Sequence, residues 1–173
     1  MSDILFSEKQ RFRQWWIWLI CLIIDGIFIF GIVWQVLLGK QFGNHPAGNI
    51  ELIIISILVL LITSTIFLGN LKTMIKKDGI YYQFFPLNWR MKKLSSEDIS
   101  EAHIRKYDAI GDYLGWGIRY GESLKDKAII LGGNEGIQII FKNNKKLLLG
   151  TRKPVEAKKA LEEIGFLIPD NNS

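Results

Sequence analysis

The chain has 173 residues, 49% of them hydrophobic, with a formal net charge of +5 and a mean hydropathy of +0.16. That balance is apolar for a small soluble domain, and the length suits one domain plus an anchor. A single cysteine, Cys21, excludes an intramolecular disulfide framework and a Cys-rich zinc centre, and two well-separated histidines leave little for a histidine-based one. Charge is segregated too: residues 1–70 carry four basic and four acidic groups, so the whole surplus falls on residues 71–173.

Residues 1–14 read as a short N-terminal segment carrying Lys9, Arg11 and Arg13. Residues 15–38, WWIWLICLIIDGIFIFGIVWQVLL, hold one ionisable group in 24 positions. At about 1.5 Å per residue this run exceeds the ~30 Å hydrocarbon core of a bilayer. It is longer than a signal-peptide core and no small-x-small cleavage site follows, so it is expected to be retained. Residues 50–69 form a second apolar run whose only charge, Glu51, lies near one end. Neither run has the polar face of a helix buried in a soluble core. The Gly- and Asn-containing connector, residues 39–49, is short enough to join two antiparallel neighbours.

Lysine and arginine placement sets the expected orientation. Lys9, Arg11 and Arg13 precede the first run and Lys72, Lys76 and Lys77 follow the second, against Lys40 alone between them. Positive flanks stay inside, so both termini of a multi-pass inner-membrane protein are expected in the cytoplasm. Trp15, Trp16, Trp18 and Trp34 lie where indole rings anchor a helix at the interface. Asp25 stands ten residues in from Trp15, about 15 Å down the helix and near the bilayer midplane, where a bare charge is costly. The expectation is a carboxyl hydrogen-bonded to Ser56 or Thr63 on the returning helix; the alternative is a working carboxyl of a membrane enzyme or transporter.

From residue 71 the pattern changes to short alternating runs parted by turn residues. LKTMIKK and IYYQFF flank Asp78-Gly79, a hairpin signal. WRMKKL, DISEAHIRKY, GWGIRYG and KAIIL follow, and GIQIIF and KLLLGT flank a second turn, Lys142-Asn143-Asn144-Lys145, whose asparagines tolerate left-handed geometry. PVEAKKALEEI, from Pro154, reads as one amphipathic helix with a glycine stop. About seven strands and a terminal helix are expected over residues 70–166, with residues 167–173 as a tail.

The stretches DYLGWGIRYG, GGNEGIQIIF and LLLGTRKPVEAKKAL, behind two apolar spans, resemble bacterial two-span membrane proteins with a cytoplasmic pleckstrin-homology-like (PH-like) domain. The resemblance rests on Gly115, Trp116, Gly117 and Arg119, on the turn around Gly133, Asn134 and Gly136, and on Gly150 ahead of Pro154. It implies a seven-stranded barrel closed by a helix, and it brings no catalytic residues.

No nucleophile elbow, P-loop, HExxH, paired CxxC or dinucleotide fingerprint is present, so no catalytic, cofactor or metal site is expected. The glycines of GWG and GGNEG lack a following helix and read as tight turns. His103 shows no acid partner in the sequence. What remains are basic clusters: Lys72, Lys76 and Lys77; Arg90, Lys92 and Lys93; Lys142, Lys145 and Lys146; Arg152 and Lys153. Near a membrane these suit anionic headgroups. A nucleic-acid partner is disfavoured, because the final helix balances Lys158 and Lys159 with Glu156, Glu162 and Glu163. The expected function is therefore a non-enzymatic membrane protein that presents a binding module to a protein partner, to a second copy or to anionic lipid.

Overall fold

A computed structural model describes residues 4–121 and 123–166; the expected tail, residues 167–173, lies outside the described residues. The chain divides into a helical unit, Gln14–Leu68, and a sheet unit built from Met1–Arg13 with Gly69–Ser173.

In the helical unit α1 (Trp15–Ile32) runs on through a π-helical turn, Val33–Leu37, and α2 (Asn49–Leu68) returns. The pairing is antiparallel along its length. Trp18 meets Phe67 edge-on at 4.6 Å, the Thr63 hydroxyl donates to Asp25 Oδ1 at 3.0 Å, and the Gln35 amide donates to Asn49 Oδ1 at 3.0 Å. Gln35, in the π turn, also donates to the Ala47 carbonyl at 2.7 Å and accepts from the Phe42 amide at 3.3 Å, so one side chain organises the connector. The two helices run 23 and 20 residues, and the most apolar 18-residue window of each has a mean hydropathy of 2.5 and 2.6, long and apolar enough to cross a membrane. A helix in the core of a soluble protein is mostly buried. Here only 11% and 17% of the two apolar windows are.

The sheet unit holds nine strands among the described residues. β1 (Ile4–Arg11), β2 (Asn70–Lys76), β3 (Gly79–Phe85) and β4 (Lys92–Ser95) form an antiparallel sheet in that order. A 3-10 turn, Ser96–Asp98, leads out of it. β5 (Ile99–Lys106), β6 (Gly117–Tyr120), β7 (Asp126–Ile130), β8 (Glu135–Phe141) and β9 (Lys146–Thr151) form a second sheet ordered β5-β8-β9-β7-β6. Within it β7 and β9 run parallel. α3 (Pro154–Glu163) packs Ala157, Ala160 and Leu161 inward against strands of both sheets.

Two features of the expected PH-like barrel are thereby corrected. Among the described residues the count is nine rather than about seven, and no ladder joins the two sheets, so they do not close into a barrel. The physical reason lies at the edges. After only four residues of β4 the chain turns away, and β5 takes β8 as its partner instead of continuing the first sheet. Eight of the nine lie within residues 70–166, and the ninth, β1, precedes the helices and pairs with β2, the first strand after them. The ladder places Arg11 opposite Asn70, so the chain leaves the sheet for α1 and returns from α2 at neighbouring positions.

The core lies between the sheets and under α3. Leu71, Ile75 and Ile80 from the first sheet, Ile129, Ile137, Ile139, Leu148 and Leu149 from the second, and Leu161 are fully buried. β1 contributes Phe6 to this core, but its next two inward positions are polar. Glu8 accepts a 2.6 Å hydrogen bond from the Thr151 hydroxyl and a 3.0 Å bond from the Arg152 amide, and the Gln10 amide donates to the Gly150 carbonyl. β1 is therefore fastened to both sheets, by its ladder to β2 and by its side chains to β9.

Candidate functional site

Strand alternation sorts the first sheet into a buried face and an outer face. β1 turns Lys9 and Arg11 outward, β2 turns out Lys72 and Lys76, and Tyr81, Gln83 and Lys93 continue that face across β3 and β4. Lys9 stands directly opposite Lys72, which stands opposite Gln83. Like charges in facing positions oppose folding, so this face carries a charge concentration that packing alone does not require.

Register divides the expected basic clusters by distance from the end at which the sheet joins the helices. Lys9 and Lys72 lie two residues from that end, roughly 7 Å away. Arg90 belongs to the β3–β4 loop, residues 86–91, which follows Phe85; Phe85 is the ladder partner of Asn70, so this loop sits at the same end. Arg152 joins them, since its guanidinium donates to the Arg11 carbonyl at 3.1 Å, and Lys153 is its chain neighbour. Lys76 and Lys77 lie at the other end of β2, about 20 Å off. Lys142, Lys145 and Lys146 surround the β8–β9 turn, about 17 Å along β9 from Thr151. The clusters thus form a helix-proximal group and a distal group. Sequence reasoning assigned Lys9 and Arg11 to orientation alone; only the pairing of β1 shows that they share a surface with Lys72.

In the distal group, Lys93 bridges Asp78 at 2.7 Å and the Tyr81 hydroxyl donates to the same carboxylate at 2.6 Å. The hydrogen bonds from Lys93 and Tyr81 hold the Asp78 carboxyl down at about 2. An ordinary aspartate titrates near 3.9, so whatever this bridge adds to stability is present above pH ~4 and is lost as pH falls towards about 2. The stability gap between the native chain and Asp78→Asn is therefore expected to close across that window in a pH series of thermal unfolding. A gap independent of pH would show that the bridge contributes nothing. Lys92, also on β4, lies near Lys127 of β7, whose ammonium is pushed down by burial and then by Lys92.

The residues that carried the family resemblance shape turns, strands and the start of a helix. Between β5 and β6 the Asp108 carboxylate accepts from the Ile110 amide, the Gly115 amide bonds the Ala109 carbonyl, and Gly115 and Gly117 take φ values of 127° and 94°. Trp116 packs on the cluster of Tyr107, Ala109, Tyr113, Ala128, Ile130 and Leu148. Arg119 lies beside Gly115, and its Nη1 donates to the Ile118 carbonyl at 3.4 Å. Gly133 takes a φ of 84° in the β7–β8 turn, where the Asn134 carbonyl accepts from the Tyr107 amide at 2.8 Å. Gly136 and Gly150 face each other on β8 and β9, and Pro154 opens α3.

Beside the β5–β6 loop lies an open cleft of about 290 Å³, lined by Arg105, Gly111, Asp112, Tyr113, Gly121 and Asp126. Its polar groups bond one another. Arg105 Nη2 donates to the Tyr113 hydroxyl at 3.0 Å, and that hydroxyl donates to Asp126 Oδ1 at 3.4 Å. Burial pushes the Tyr113 phenol up, so it stays protonated at neutral pH and is no base. Among the described residues no Ser, Cys or His lines the cleft. Elsewhere on β5, His103 has the acid neighbour that sequence did not reveal: Glu101 Oε1 lies 2.6 Å from its Nδ1. Among the described residues no three His, Cys, Asp or Glu side chains gather to hold a metal ion.

In the helical unit, of the two expected partners, Thr63 bonds Asp25 whereas Ser56, fully buried, donates back to the Leu52 carbonyl of its own helix at 2.7 Å. Comparison with protein-family models, with curated proteins and with solved structures returns no match.

Proposed function

We propose that this chain is a non-enzymatic, multi-pass inner-membrane protein whose two helices hold the sheet unit at the cytoplasmic face, where its basic surface binds anionic lipid headgroups. The observation that carries the reading is the helix-proximal group of cations: Lys9, Arg11 and Lys72 on one sheet face, with Arg90 and Arg152 at the same end. Each such cation near an anionic surface contributes about 1 kcal/mol. The β1–β2 ladder supports a helical hairpin, because strands flanking two spans pair only if both lie on one side of the membrane. The Lys and Arg content of both flanks supports the cytoplasmic side. Two sheets followed by a terminal helix support a PH-like origin for the unit, in an open form. The Thr63 bond supports a structural role for Asp25, as the polar link of the helix pair.

The test uses the full chain extracted in mild detergent from a membrane containing phosphatidylglycerol, with retained lipid counted by native mass spectrometry. Lys9→Glu with Lys72→Glu is expected to lower phosphatidylglycerol affinity by roughly thirtyfold, from about 1 kcal/mol per cation removed. Unchanged retention rejects lipid as the ligand and leaves the basic face to an acidic protein partner or a second copy.

A further inference from the structure

The β3–β4 loop carries a different chemistry at the same end of the sheet. Trp89 is 77% exposed and Leu87 63% exposed, and Arg90 follows directly. Most of the indole is exposed, yet the loop is braced. The Gln83 amide donates to the Trp89 carbonyl at 2.7 Å, the Asn88 amide bonds the Phe84 carbonyl at 2.7 Å, and the Phe85 ring meets the Trp89 ring edge-on at 5.3 Å. An exposed leucine and tryptophan on a turn held by its own hydrogen bonds lose little conformational freedom on burial, which favours insertion into an apolar layer.

The ladder states which layer is within reach. Arg11, Asn70 and Phe85 are successive neighbours across β1, β2 and β3. At about 4.8 Å per strand the loop begins roughly 10 Å from the residue where the chain leaves for α1. Asn70 itself lies two residues beyond Leu68, the last residue of α2. A span that ends at Leu68 puts the polar boundary of the bilayer within a few residues of this rung. Tryptophan, leucine and arginine together are the side chains that settle at that boundary, with the indole at headgroup depth, the leucine below it and the guanidinium on phosphate. Leu124 is 86% exposed but lies in the turn before β7, at the end of the second sheet marked by Asp126 and Lys146, remote from Thr151. It has the exposure without the location.

We infer that residues 86–91 insert Leu87 and Trp89 into the headgroup–acyl boundary of the bilayer, a third membrane attachment that fixes the sheet unit against the lipid surface. This deepens the lipid-facing reading above and rests on it, since it requires α1 and α2 to span.

The experiment places single cysteines at Leu58, Leu87 or Leu124 of the full chain carrying Cys21→Ser. Each is labelled with a nitroxide and reconstituted in vesicles of phosphatidylcholine and phosphatidylglycerol. Collision rates with oxygen, which concentrates in lipid, and with a water-soluble nickel complex report depth. Leu58 is exposed near the middle of α2 and serves as the hydrocarbon reference. The expected order is a deep label at 58, a label at the acyl boundary at 87 and an aqueous label at 124, with the oxygen-to-nickel ratio at 87 several-fold above that at 124. A deep label at 58 with 87 as aqueous as 124 overturns the inserted loop and leaves the spanning helices standing. A label at 87 shielded from both reagents overturns it in favour of a protein cover. An aqueous label at 58 overturns the membrane reading itself, and this inference with it.

Discussion

Replacing Glu8 with alanine is expected to destabilise the full chain by about 2–4 kcal/mol, read as a lowered chaotrope midpoint in detergent. The carboxylate is 7% exposed and accepts from two groups, the Thr151 hydroxyl at 2.6 Å and the Arg152 amide at 3.0 Å. Truncation removes the acceptor and leaves both donors facing a void, and each buried orphan costs about 1–3 kcal/mol. The Thr151 hydroxyl meanwhile accepts from the Lys153 amide at 3.1 Å, so the charge of Glu8 reaches the first turn of α3 through one hydroxyl. A negative group suits that helix end. Thr151→Val is expected to cost less, about 1–2 kcal/mol, because Glu8 keeps the Arg152 amide. The double variant should cost little more than Glu8→Ala alone, the mark of groups in one network. Additive losses would show that the two side chains act separately. An unaltered midpoint for Glu8→Ala would mean that β1 is held by its ladder alone, and the fastening of the N-terminal strand to β9 would lose its energetic meaning.

Glu8 also explains what the sequence hid. A half-buried strand announces itself by apolar residues at every second position, and Ile4–Arg11 breaks that rule where it matters, with Glu8 and Gln10 at inward sites. Their burial is satisfied by partners some 140 residues away, on β9. No local pattern carries that information. The same strand brings Lys9 opposite Lys72, so the helix-proximal basic surface was legible only as separate clusters. By contrast the two apolar helices, the amphipathic stripe of α3 and the hairpin turns are local properties. Asn144, expected to tolerate left-handed geometry, takes a φ of 60°. Barrel closure is decided by which edges pair, a non-local choice that alternation cannot express, and here both sheets stay open. Trp89 shows the converse error. It reads as the start of a strand, but the ladder admits only Lys92–Ser95 and leaves the indole exposed in the loop. Its location at the helix-proximal end, like that of Arg90, follows from the register of β3 with β2.

Gly136→Val is the second large effect, expected to destabilise the chain by about 2–3 kcal/mol or to prevent accumulation of folded protein. Gly136 and Gly150 oppose each other on β8 and β9 in the middle of the second sheet. A Cβ on Gly136 would sit 2.9 Å from Leu148 Cδ1 and 2.9 Å from the Leu149 carbonyl oxygen. The first can turn aside, but the second is backbone in a ladder, so the strand itself must move. Overpacking of that kind costs about 1–3 kcal/mol, occasionally more. Across the ladder a Cβ on Gly150 would lie 3.1 Å from the Tyr107 hydroxyl, which donates to the Gly132 carbonyl at 3.2 Å. Gly150→Ala therefore displaces one buried side chain by a few tenths of an ångström, and about 1 kcal/mol is expected. Gly26, in α1, meets nothing within 4 Å, so Gly26→Ala should leave stability unchanged or slightly raised and serves as the control. If Gly136→Val unfolded at the native midpoint, the close approach of β8 to β9 would not be what excludes a side chain there. The glycine at that position would then not be a requirement of packing. The expected ranking, Gly136 above Gly150 above Gly26, follows from backbone, side chain or empty space standing in the way.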